Sequence, residues 1–74
     1  MNIQVRLFAT LRQGRSPRQS MELPAGSRLA DALARLSIGR DEVSIRLRNG
    51  REAEWETALS EGDTISLFPA IGGG

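Results

Sequence analysis

Apolar residues alternate with polar ones near both ends of this chain, and between them they recur at helical spacing. In residues 2–8, Ile3, Val5 and Leu7 point one way and Gln4, Arg6 and Phe8 the other, which is the period of a half-buried strand. Residues 12–18, rich in arginine with Gly14, Ser16 and Pro17, read as an exposed loop. Residues 19–23 alternate again, with Met21 and Leu23 inward, and pair with the first strand as a hairpin. Pro24-Ala25-Gly26 then breaks the strand, and Ser27 is the expected N-cap of a helix. Leu29, Ala30, Leu33 and Leu36 form one face of that helix, roughly ten residues long, with Gly39 as its stop. Asp31 and Arg35 sit where the helix dipole favours an acid and a base.

Val43, Ile45 and Leu47 make another alternating run, and Asn49-Gly50 after it is the strongest short hairpin signal. A short strand is expected over 51–55 and a turn at Glu61-Gly62-Asp63. In the last strand, Thr64 to Phe68, Ile65 and Leu67 face inward and Phe68 outward, and Pro69 ends it. One helix on one face of a mixed sheet is an α+β architecture. By parity, Phe8 and Phe68 both fall on the side away from the core.

The chain has 74 residues and no cysteine, so its 39% of hydrophobic residues must supply a single small core unaided. No signal peptide or membrane-spanning run is visible, and the lack of cysteine suits a cytoplasmic protein. The net charge of +1 is too small to argue for nucleic acid. Its distribution is uneven, however: Arg6, Arg12, Arg15 and Arg18 fall in the first twenty residues, which hold no acid, whereas residues 41–63 are acidic on balance.

The chain also lacks histidine, tyrosine and lysine, so all ten of its basic residues are arginine. The usual general bases, covalent nucleophiles and nitrogen or sulfur metal ligands are therefore missing. Such a chain is expected to enter chemistry as a substrate or carrier, not as a self-sufficient catalyst, with no metal and no stably bound cofactor. Without lysine, chains of this protein cannot grow on internal side chains. Trp55 reads as a packing residue, and Arg46, Arg48 and Arg51 as solvated strand positions.

Three segments carry a resemblance: Val5-Arg6-Leu7-Phe8-Ala9-Thr10-Leu11-Arg12, Leu59-Ser60-Glu61-Gly62-Asp63-Thr64-Ile65 and Phe68-Pro69-Ala70-Ile71-Gly72-Gly73, with Asn49-Gly50 between them. In this order and spacing the chain resembles the ubiquitin-like sulfur carriers of the MoaD/ThiS type. Its opening and its Phe68-Pro69 pair lean toward the small subunit of molybdopterin synthase. It departs from that pattern in having Pro-Ala for Pro-Pro and three terminal glycines for two.

The resemblance implies a β-grasp fold over residues 1–70 with a flexible glycine-rich tail at 71–74. It implies that the Gly74 carboxylate is adenylated by a ubiquitin-activating-enzyme-like adenylyltransferase, which uses ATP and magnesium. A sulfurtransferase then supplies the sulfur of a C-terminal thiocarboxylate. For molybdenum-cofactor synthesis the sulfur acceptor binds a large synthase subunit, in a heterotetramer. Carriers for thiamine, cysteine or tRNA thiolation, and protein modifiers, share the pattern. A small nucleic-acid or protein binding module built on the arginine-rich hairpin is the more distant alternative, and 4% aromatic content gives it few stacking platforms. Neither nucleic acid nor membrane is expected as a partner.

Glycine suits such a tail because it has no side chain to clash in a narrow channel and adopts any backbone conformation. Four extended residues from Ile71 reach about 13 Å at ~3.3 Å each, enough to leave the domain surface for a buried site. The expected docking surface is Phe8, Phe68, Pro69 and Ile71, with Gly72 and Gly73 threading the partner behind Gly74.

Overall fold

The computed structural model describes residues 1–70. The expectations for the tail, Ile71, Gly72, Gly73 and Gly74, lie outside the described residues. Five strands and one α-helix follow the chain in the order β1 (Asn2–Leu7), β2 (Arg18–Glu22), α1 (Leu29–Arg35), β3 (Val43–Arg48), β4 (Arg51–Glu52) and β5 (Thr64–Pro69). They form one mixed sheet with strand order β2-β1-β5-β3-β4. β1 and β5, from opposite ends of the sequence, run parallel at its centre, and hairpins flank them on either side. This is the β-grasp fold.

The strict alternation of β1 and β5 is realised: Ile3, Val5, Leu7, Ile65 and Leu67 are all buried. Helix α1 covers that face with Leu29, Ala32 and Leu33. Ala32 is thus the buried alanine, while Ala30 is only half-buried. The Asn49-Gly50 hairpin forms as read, with both residues at positive φ (52° and 84°), the requirement of a type I′ turn.

Two helix boundaries differ from expectation. The N-cap is Arg28, one residue after Ser27. Ser27 is buried, and its hydroxyl donates to the Pro24 carbonyl at 2.7 Å, stabilising the preceding turn instead of the helix. The Asp31 carboxylate accepts the Arg28 N–H at 2.8 Å and tethers the first turn. At the other end the helix stops at Arg35, after seven residues, so Gly39 does not terminate it. Ser37 takes the left-handed position (φ 58°), with Ser37 N–H donating to Ala34 and Ile38 N–H to Leu33. These are the two bonds of a Schellman motif, and burying Ile38 secures the exit.

A serine there carries the cost of its Cβ in the left-handed region, about 1–2 kcal/mol, which glycine avoids at some cost in unfolded-state entropy. Ser37→Gly is expected to stabilise the fold by about 0.5–1 kcal/mol, read as a raised urea midpoint at unchanged slope.

The largest departure lies in β3. Val43 pairs with Pro69 and Ile45 with Phe68, so β3 advances two residues for one on β5. That is a β-bulge, and one extra residue inverts the facing of everything after it. Val43 is buried on the helix side, whereas Ile45 and Leu47 lie on the opposite, open side, opposite Phe68 and Ser66. Arg46 and Arg48 turn toward the helix side, beside the core residues Leu67 and Ile65. They are therefore not solvated strand positions: both are half-buried, and only Arg51 is fully exposed.

Candidate functional site: the open face at the base of the tail

The bulge and the parity of β1 and β5 together build an apolar strip on the open face of the sheet. The Phe8 N–H donates to the Leu67 carbonyl at 3.1 Å, extending the parallel β1–β5 pairing by one residue and placing Phe8 beside Phe68. The two rings stack with centroids 4.3 Å apart and planes 9° from parallel. Both are half-buried, so neither folds under a loop into the core. Ile45, directly across from Phe68, extends the strip and is 47% exposed. Sequence reasoning missed Ile45, since plain alternation puts it with Val43. The signal that finds it is the bulge, which no sequence period reports.

Immediately past Phe8, Ala9 adopts positive φ (52°) and opens a 3-10 turn over Ala9–Arg12 that buries Leu11. The turn fixes where the arginine-rich loop leaves the ring pair. On the β5 side, Phe68 and the half-buried Pro69 lead to Ala70, whose N–H donates to the Glu42 carbonyl at 3.0 Å. That bond anchors the last described residue, so the ring pair stands at the point where the tail begins. Among the expected docking residues, Phe8, Phe68 and Pro69 are brought together.

The other end of β5 is fixed by Asp63, which is only 5% exposed. Its carboxylate accepts Arg48 Nε–H at 2.7 Å, Asn49 Nδ2–H at 2.9 Å and the Ser60 N–H at 2.7 Å. Burial pushes the carboxyl pKa up, but these bonds and the Arg48 charge outweigh burial and hold it below its ordinary value of 3.8. Gly62, at φ 82°, makes the tight turn before it. The Gly62 N–H donates to Asn2 and the Gln4 N–H to Asp63, both at 2.8 Å, so the turn also sets the β1–β5 register.

Trp55 is half-buried packing, as its sequence context suggests. Its ring lies 4.7 Å beneath the Arg46 guanidinium, whose Nη2 reaches Glu54 at 3.3 Å. Arg46 Nε is buried without a hydrogen-bond partner; stacking on the indole is the compensation available to it. Among the described residues no cluster of acidic, histidine or cysteine side chains is arranged to hold a metal ion. No helix among them is long and apolar enough to cross a membrane.

The face thus supplies an apolar strip and an anchored exit strand. The sequence profile of one family, the ThiS family, matches residues 5–74. The chain belongs to the ThiS family. Its fold is that of the MoaD/ThiS-type ubiquitin-like sulfur carriers and modifiers, small proteins that are generally non-catalytic.

Among solved structures, it is similar to a putative molybdopterin converting factor subunit 1 from Pyrococcus furiosus. They share 26% identity at a TM-score of 0.80, covering 96% of this chain and 99% of that one. SAMP1 from Haloferax volcanii is 26% identical at a TM-score of 0.82, with both chains fully covered (100% and 100%). A complex of subunits 1 and 2 of molybdopterin-converting factor from Helicobacter pylori contains a chain of the same fold. There the identity is 24% and the TM-score 0.70, with 100% of both chains covered. None of the curated proteins matches by sequence.

Proposed function

We propose that this ThiS-family member is a sulfur carrier whose Gly74 carboxylate is adenylated by a partner enzyme and converted to a thiocarboxylate. The observation that carries this reading is a family match that runs through the glycines to residue 74, behind an exit strand flanked by a stacked aromatic pair. A free carboxylate is a poor electrophile. Adenylation attaches AMP to it and releases pyrophosphate; a sulfur nucleophile then displaces AMP and leaves sulfur on the acyl carbon. The chain offers no cysteine, histidine or lysine for these steps, so the partner supplies the base, the magnesium and the sulfur.

Within this reading we place the protein in molybdenum-cofactor synthesis, as the small subunit of molybdopterin synthase. The likeness to the Pyrococcus furiosus converting-factor subunit supports that placement. The large synthase subunit would be the second partner, receiving the tail once it is charged. The likeness to SAMP1 favours a second reading, as a protein modifier. Without lysine, such a modifier offers only its α-amino group as an acceptor for further copies, so chain growth on itself is disfavoured.

The test is co-expression with the adenylyltransferase and sulfurtransferase of the same genome, followed by intact-protein mass spectrometry. The expected product gains the mass difference of sulfur over oxygen, confined to a methionine-free C-terminal peptide that reacts as a thioacid. A tail that stays a plain carboxylate with every such enzyme overturns the carrier reading. An isopeptide bond to a target lysine, without thiocarboxylate, supports the modifier reading instead.

A further inference from the structure

The open face is not uniformly apolar. Arg6 and Arg18 are direct cross-strand partners on β1 and β2, on the side away from the core. Like charges directly opposite each other destabilise a sheet. No described carboxylate relieves this pair: the ion pairs among the described residues are those of the Met1 amine with Glu22, Arg46 with Glu54 and Arg48 with Asp63. Arg12 joins Arg6 and Arg18 around a shallow depression that also meets Phe8 and Pro17. The Arg6 guanidinium lies 5.6 Å over the Phe8 ring, so the charged patch is continuous with the aromatic stack. At the far edge of the same face stands the exposed Glu52, paired with Leu47 on β3. Glu22, two positions of the same facing along β2 from Arg18, is held by the Met1 amine at 3.7 Å, so it is not directed at the arginines.

We infer that Arg6, Arg12 and Arg18 form an acid-recognising site for carboxylate side chains of the protein that docks on the Phe8–Phe68 strip, setting its orientation and speeding its arrival. The inference rests on the proposed carrier reading, in which such a partner exists, and names that partner's chemistry. Three arginines held together without counter-charges are a cost to the folded domain that an acidic partner removes on binding. The apolar strip supplies contact area, and the arginines supply direction, because charge placement steers encounter more than it adds raw affinity. Nucleic acid fits the patch less well. Phe8 stacks on Phe68 and is approached by Arg6, and Trp55 is approached by Arg46 and Arg40, so few aromatic faces are left on which bases could stack.

The decisive variant is Arg18→Glu, which exchanges a repulsive cross-strand pair for an attractive one. It is expected to raise the thermal midpoint while lowering the association rate with the cognate adenylyltransferase at least 10-fold. The wild-type rate should itself approach the variant's in about 1 M salt, where the Debye length falls to about 3 Å. A residue with a merely structural role would move stability and association in the same direction. Phe68→Ala should instead speed dissociation, with little change in salt dependence.

A second measurement needs no activating enzyme. Isotope-labelled protein is titrated with a capped oligoglutamate peptide in low salt. Shifts at the amides of Arg6, Phe8, Arg12 and Arg18, lost in Arg18→Glu, support the site even if the carrier reading fails. Equal shifts around Arg28, Arg35 and Arg51 overturn it, as does equally tight binding of an oligothymidylate of matched charge. Self-association that Arg18→Glu disperses also overturns it, by making a second copy the occupant. If the adenylyltransferase never engages the wild-type chain, the carrier reading falls on that result alone.

Discussion

Replacing Asp63 by alanine is expected to cost the domain about 2–4 kcal/mol. The carboxylate is buried and accepts from Arg48, Asn49 and Ser60 at once. Removing it leaves three donors without their acceptor, one of them a charged guanidinium. Breaking a buried pair in this way costs about 3–5 kcal/mol, and Arg48, with 34% of its side chain exposed, recovers part of that from water. Domains of this size are stable by about 4–11 kcal/mol in total, so the variant stands near the edge of folding. The loss should also uncouple β1 from β5, since the Asp63 carbonyl and the Gly62 N–H both bond to β1.

The same group sets an acid limb. Its folded pKa lies below the ordinary 3.8, so its contribution is present in full above that value and is lost as pH falls through the depressed one. Urea unfolding at neutral pH and near pH 3 checks both points. The gap between wild type and Asp63→Ala should be wide at neutral pH and narrower in acid. Asp63→Asn, which keeps shape and one acceptor, should fall between them. An equal gap at both pH values would mean that the carboxylate acts by shape alone.

Asp63 also shows where sequence reasoning ends. Glu61-Gly62-Asp63 is legible as a turn, because glycine at positive φ has a local cause. That the aspartate is the buried hub of the turn depends on Arg48, fifteen residues away in sequence. Arg48 reaches it because the bulge at Ser44 turned it inward. The same bulge turned Ile45 out to join Phe8 and Phe68. One extra residue in one strand thus created both a partly buried ion pair and part of the open face, and alternation in the sequence carries no trace of it.

By contrast β1 and β5 follow period two without interruption, and the facings that depend on them were foreseeable: the inward Ile3, Val5, Leu7, Ile65 and Leu67, and the outward Phe8 and Phe68. The helix was legible in existence and facing but not in extent. Serine at 37 adopts a conformation for which glycine is the usual residue, so Gly39 drew the stop two residues too late. At the N-terminus a serine suited to capping was engaged by the Pro24 turn instead.

Gly73→Val is expected to lower adenylation of the chain by at least about 100-fold while leaving the thermal midpoint and the spectrum of residues 1–70 unchanged. For the Gly74 acyl carbon to meet ATP in a partner's active site, the residue before it must lie in the narrowest part of the approach. A branched side chain there both widens the backbone and removes conformations that glycine alone reaches. A displacement of about 1 Å at the reacting atoms is enough to cost about two orders of magnitude. Gly73→Ala should be intermediate, and removal of Gly74 should test whether it is the residue that is activated.

The kinetic signature separates the tail from the docking face. On the proposed docking, Phe8, Phe68 and Ile45 would contact the partner equally before and during reaction, so Phe68→Ala should raise KM with little change in kcat. On the proposed carrier reading, Gly73 would position the acyl group in the transition state, so its variants should lower kcat. Should Phe68→Ala lower kcat and Gly73→Val only raise KM, the division of labour between face and tail would be reversed. Pyrophosphate exchange measured on both variants, over a range of carrier concentrations, decides between the two.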